Sequence, residues 1–330
     1  MSKAAAQNDS IVQSNKSEKN HRSLWQDAVK RLSKNKAAVV SLVFMTIVVV
    51  SAVLGPMLSS YPYELQDLDR INTPPVVMDV NALPDGIRTV IPEDYVQLGP
   101  IYWNTRHWLG TDELGRDLLV RILYGARVSL AVGFLAAIVS LIIGVLYGSI
   151  AGYVGGRLDN IMMRFVDTLY SLPFMFFVIL LMAVAGRSFY LLFIAIGAVS
   201  WLTTARIVRG QVMSLKNSEF VEAARASGTS HLSIILIHLI PNTIGPIIVY
   251  FSLLVPRVML EESFLSFIGL GVQAPMASWG SIVADAQSIY LFCPWQIVFP
   301  GLALTLTLFS LNFIGDGLRD ALDPKLKGKQ

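Results

Sequence analysis

Apolar positions in this chain come as long unbroken runs, not as the two- or 3.6-residue alternation that covers one face of a soluble element. Residues 37–58, 128–156, 168–186, 188–205, 239–256 and 286–315 contain no charged side chain. A helix needs about 20 apolar residues to cross the hydrocarbon core of a bilayer. The pattern therefore predicts six membrane-spanning helices, the last near 294–314. Residues 263–284 are also uncharged, but Gly269, Gly271, Pro275 and Gly280 interrupt them. Broken backbone at membrane depth must be satisfied by protein or water. This stretch is predicted to be a partly re-entrant or outer-face segment, near 263–292, not a seventh span.

The distribution of charge orients the spans. With the N-terminus in the cytoplasm, 18 of the 26 Lys and Arg residues fall on the inner side and 8 on the outer. That is the asymmetry membrane insertion imposes. A seventh crossing would put Lys325, Lys327 and Lys329 outside. Both termini are thus predicted to be cytoplasmic. The divisions that follow are a tail over 1–36, a first span over 37–58, an outer loop over 59–127, a five-helix core over 128–318 and a tail over 319–330. Residues 1–20 read as disordered. Leu24, Trp25, Ala28, Val29 and Leu32 share one helical face, as in a helix lying along the inner leaflet. With its first apolar run starting at residue 37, the chain reads as carrying an uncleaved anchor. The outer loop holds ten acidic and six basic residues and several proline turns, which predicts a small, mostly irregular flap.

Composition agrees. Hydrophobic residues make up 54% of 330 and charged ones 15%, against about 25% charged in a soluble domain; the mean hydropathy is +0.57. One cysteine, Cys293, excludes a disulfide framework and multi-cysteine metal sites. Four scattered histidines, without an HExxH, give no metal centre. No GxxxxGK[ST] phosphate loop is present, and nothing in the charge pattern points to nucleic acid.

Within the spans, Gly144, Gly148, Gly152 and Gly156 recur every four residues. Small residues at that spacing let helix backbones approach closely, so a helix-packing face is expected, with a pore-lining groove second. Pro173, Pro241, Pro246, Pro256 and Pro300 interrupt spans, as in transporters that bend. No charge is expected mid-span. Arg257, Glu261 and Glu262 read as a local ion pair at the outer interface, with contact between the two glutamates and a substrate second; Arg206 and Arg209 read as snorkelling side chains, with contact to a cytoplasmic partner second; Asp316, Arg319 and Asp320 read as a solvated helix end, with subunit contact second. Without buried ionisable carriers, the energy for any transport must come from elsewhere.

One polar helix stands out between the fourth and fifth spans, near 212–235. Ser218 can cap it, Glu219 and Glu222 suit its positive end, and Gly228 suits a left-handed stop. A short rigid helix followed by a turn back into the bilayer is what a cytoplasmic motor would grip. Glu222, Ala223, Ala224, Gly228 and Pro241 at this spacing resemble the EAA loop of ABC importer permeases. His238-Leu-Ile-Pro-Asn242 is similar to the peptide-transporting branch. Arg22–Ala28, Phe174–Leu181, Ala205–Gln211, Glu262–Gly271, Asn312–Pro324 and His107–Asp117 look like the C-type permease subunit of oligopeptide importers.

The resemblance implies an all-α polytopic protein of the bacterial cytoplasmic membrane with six transmembrane helices and the type I ABC importer permease fold. It implies a non-enzymatic transport subunit. Its partners would be a second permease subunit, two cytoplasmic ATPases that hold ATP and Mg, an extracytoplasmic peptide-binding protein and membrane lipid. Glu222, Ala223, Ala224, Gly228 and Pro241 would couple to the ATPase. Import of dipeptides or nickel is the alternative within the family.

Overall fold

The computed structural model describes residues 24–77, 94–186 and 188–322. The stretch expected to be disordered, 1–20, and the three terminal lysines lie outside these. In chain order the helices are α1 (Leu24–Leu32), α2 (Lys36–Leu58), α3 (Leu118–Val154), α4 (Gly156–Tyr170), α5 (Phe174–Ala185), α6 (Phe189–Leu215), α7 (Glu219–Ala226), α8 (His231–Phe267), α9 (Trp279–Asp285) and α10 (Trp295–Leu322). Five of them, α2, α3, α6, α8 and α10, are long and apolar enough to cross a membrane. A sixth candidate is the bent pair α4 and α5, which meet at 81° and together are long and apolar enough to cross. The predicted third span began at residue 168 within one helix; it is instead split at Ser171–Pro173, where Pro173 forms the start of α5.

Several helices outrun their apolar stretches because their charges are paired. α3 starts at Leu118, ten residues before the uncharged run, with the Asp117 carboxylate accepting the Val120 N–H at 2.8 Å. Arg127 donates to the Ala52 and Val53 carbonyls of α2; the Ala52 carbonyl has no helical donor because the residue four positions on, Pro56, lacks an N–H. At the other end α10 runs on to Leu322, beyond the predicted boundary at 318.

α3 is the central column, packed on α6, α8 and α2. A Cβ on Gly144 would collide with Thr204 of α6, one on Gly148 with the Ala205 carbonyl, and one on Gly152 would lie 2.7 Å from the Arg209 carbonyl. Opposite them, Gly197 of α6 admits the Ala136 carbonyl of α3 at 2.8 Å from its own would-be Cβ. Ser140 and Thr204 share a hydrogen bond of 3.0 Å across the seam. Gly156 is not on this face: α3 ends at Val154, and Gly156 has φ +61° with nothing within 4 Å of its missing side chain. The four-residue spacing carries the face only as far as the helix lasts.

α1 turns Ala28 and Leu32 toward the end of α10, Leu32 lying against Gly317, while Val29 stays 66% exposed. The predicted face is thus divided between protein and surroundings. α8 contains one widened π turn, Ile234–Leu239, in which the Ile240 N–H reaches the Ile235 carbonyl. It immediately precedes Pro241, which lacks an N–H and whose ring crowds the carbonyl four residues earlier. The glycine-broken segment is neither a span nor irregular throughout. α8 continues to Phe267, and after a turn α9 is closed by a capping box between Ser278 and Ser281.

The outer loop is more ordered than a flap of turns. β1 (Val76–Val77), β2 (Tyr95–Leu98) and β3 (Ile101–Asn104) form an antiparallel sheet in the order β1-β3-β2, with Val76 opposite Trp103 and Tyr95 opposite Asn104. Asp112 joins it to the bundle, accepting from Arg116 Nε at 2.7 Å and from the buried Arg121, whose other nitrogen reaches Asp285 of α9 at 2.9 Å.

Candidate functional site: the polar helix α7 and its seat

α7 is amphipathic at short range. Val221 and Ala224, one turn apart, are buried, whereas Glu219, Glu222, Ala223 and Arg225 are exposed. The buried pair enters a hydrophobic cluster with Tyr153 from the end of α3, Val208 and Val212 from α6, and Ile234, Ile235 and Leu239 from the π turn of α8. Three spanning helices thus converge beneath one exposed helix. Tyr153 adds polar contacts: its hydroxyl lies 2.8 Å from His231 Nδ1, and the Arg225 guanidinium stands 5.2 Å over its ring.

The two ends are built differently. Ser218 occupies the N-cap position with extended backbone, but its hydroxyl donates to the Leu215 carbonyl at 2.6 Å and does not cap the helix. At the far end Gly228 has φ +76°, its N–H reaches the Arg225 carbonyl and the Thr229 N–H the Ala224 carbonyl, at 3.0 and 3.1 Å. This tight stop uses a backbone conformation that glycine adopts at little cost. Glu222, Ala223, Ala224 and Gly228 therefore share α7 and its cap. Pro241 does not; it sits two residues past the π turn in α8.

Arg206 and Arg209 are both ion-paired to α4. Arg209 grips Asp159 of α4 with two nitrogens, at 2.5 and 2.7 Å, and Arg206 reaches Asp167 at 2.6 Å while covering the Tyr170 ring at 4.4 Å. Both therefore clamp α4 against α6, through partners the sequence did not reveal. The expected ion pair in α8 is only half there. Arg257 Nε donates to Glu261 at 3.0 Å, but Glu262 is fully buried, accepting from Ser266 at 2.7 Å and Ser129 at 3.3 Å. Glu262 is thus buried among serines near the end of α8 and takes no part in the expected pair. Residues such as Asp159, Tyr153 and His231 carry no sequence signal, since their partners lie 50 and 78 positions away.

A bundle of apolar helices, one of them broken, with a single short polar helix seated on three of them defines a polytopic membrane permease. Residues 144–328 match the family model described as "Binding-protein-dependent transport system inner membrane component", and residues 23–75 match the "N-terminal TM domain of oligopeptide transport permease C". The chain belongs to this family of inner-membrane transport components and is a multi-pass protein of the cytoplasmic membrane. It is 49% identical over 304 residues to the oligopeptide transport system permease protein OppC of Haemophilus influenzae, covering 92% of this chain and 89% of that one. To OppC of Escherichia coli K12 it is 47% identical, covering 94% and 95%. To the dipeptide transport system permease protein DppC of Bacillus subtilis it is 44% identical, covering 92% and 87%. An inward-facing structure of the MetNI methionine ABC transporter superimposes with a TM-score of 0.52 at 17% identity, over 62% of this chain and 96% of that one. At that identity the likeness establishes the type I ABC permease fold alone.

Proposed function

We propose that the chain is one of two related permease subunits of an ATP-driven, binding-protein-dependent oligopeptide importer, with both termini and α7 in the cytoplasm. α7 is the coupling helix that docks on one of two ATPase subunits. An extracytoplasmic binding protein delivers peptide to the opposite face. The carrying observation is the construction of α7, an exposed acidic face on a helix whose other face is locked to α3, α6 and α8. A push on such a helix moves the spans beneath it as a body. ATP and Mg belong to the ATPases, since this chain has no phosphate-binding loop. The peptide assignment is supported by the relatives above, and dipeptide or nickel import is the alternative within the family.

The test is uptake of labelled pentapeptide, dipeptide and nickel in cells lacking this gene, restored with wild type or with Glu222→Lys. Pentapeptide uptake returned by wild type and not by the variant supports the proposal. Restoration of nickel uptake alone overturns the substrate.

A further inference from the structure

Arg257 lies within α8, ten residues before its end at Phe267, and its side chain is exposed. An ionisable group inside an apolar helix is costly unless it faces a cavity or a partner. It faces a cavity of about 260 Å3 at the α4–α5 break, whose wall includes Tyr170, Ser171, Pro173, Ser200 and Thr203. Glu261, one turn away and mostly buried, accepts from Nε only. Among the described residues neither terminal nitrogen of Arg257 has a carboxylate partner. Glu261 therefore holds the guanidinium by its stem side and leaves the two-pronged end open.

We infer that Arg257 and this cavity form a transit site for the terminal carboxylate of the translocated peptide, the hydroxyls of Ser200 and Thr203 lying alongside. This rests on the peptide reading above. A guanidinium fork matches a carboxylate with two parallel hydrogen bonds, which an ammonium cannot do. Every unmodified linear peptide has a terminal carboxylate whatever its side chains, so one such site serves a mixed cargo. Pockets that enclose drug-sized ligands run to about 300–1,000 Å3; this one is smaller, which suits one end of a chain and not the whole. The break at Ser171–Pro173 forms part of the wall, so rotation of α4 against α5 would reshape the site.

The experiment is import by the complete transporter, reconstituted with its binding protein, of one pentapeptide as the free acid and as its C-terminal amide. Each rate is normalised to the peptide's occupancy of the binding protein. Wild type, Arg257→Gln and Arg257→Lys are compared, with co-purification of the second permease checked for each. Arg257→Gln is expected to slow the free acid by about tenfold or more, the weight of a charged hydrogen-bonded contact, and to leave the amide within about twofold of wild type. Arg257→Lys should fall between the two for the acid. Equal loss for acid and amide overturns the assignment. Failure of the second permease to co-purify overturns it in favour of an ion pair between subunits. If wild type imports neither peptide while the complex still hydrolyses ATP, the peptide reading itself falls and takes this site with it.

Discussion

Gly148 faces the Ala205 carbonyl so closely that even a methyl group would force α3 and α6 apart. Gly148→Ala should therefore cost at least about 1 kcal/mol. Gly210 on α6 has open space around it, and Gly210→Ala should raise stability by about 0.5–1 kcal/mol, the helix preference for alanine. Thermal midpoints of the purified chain in detergent check both. The contact is internal, so the loss needs no second permease to appear. A second residue-scale expectation concerns pH. Burial opposes ionisation of Asp67, but hydrogen bonds and charge from Arg70, at 2.7 Å, outweigh it and hold the carboxyl below its ordinary value of 3.8. A carboxyl depressed on folding stabilises the folded form above its unfolded pKa, and that contribution fades as pH falls through the folded value. The outer loop should loosen below about pH 4, seen as faster amide exchange at Asn72 and Thr111. Asp67→Asn should weaken that dependence.

At the scale of elements, α7 separates two roles that its sequence runs together. Glu222 is exposed and its carboxylate has no hydrogen bond or ion pair among the described residues, so Glu222→Lys should leave the stability within about 0.5 kcal/mol of wild type while abolishing peptide-stimulated ATP hydrolysis by the assembled complex. Val221 is fully buried in the cluster beneath. Val221→Asp puts an unpaired charge there and should destabilise the fold by about 3 kcal/mol or more, read in the same melts. Normal stimulated hydrolysis in Glu222→Lys would remove α7 from the coupling path. The sequence made α7 legible because its signals are local: an acidic first turn and a glycine stop. The π turn before Pro241 had only the proline as a signal, and the α4–α5 break only Pro173. In each case the widened or broken geometry depends on what the neighbouring helices leave room for.

Across the whole molecule, the outer loop and the bundle are joined by Asp112, Arg116, Arg121 and Asp285, drawn from the loop, α3 and α9. Arg121 is 4% exposed and Asp112 3%. Removing Asp112 strands a buried guanidinium with one remaining partner, so Asp112→Ala should cost about 3–5 kcal/mol. Protease cleavage within the outer loop should become faster before the bundle unfolds. The same long-range pairing explains why the bundle's charges were misread from sequence. Arg209 looked like a free cation until α4 brought Asp159 to it, and Glu262 looked interfacial until α3 and the turn after α8 closed serines around it.

The sequence alone marked out the apolar stretches long enough to cross a membrane, set 263–284 apart from them, and placed the exposed polar helix. Those properties follow from runs of apolar residues and from caps, which act over one or two turns. Tertiary structure decided where the helices end, how Gly144, Gly148 and Gly152 seat against α6 while Gly156 does not, and which charges are paired. It also turned Arg257 toward a cavity. Such outcomes depend on contacts between residues tens to hundreds of positions apart, and no local pattern encodes a partner at that distance.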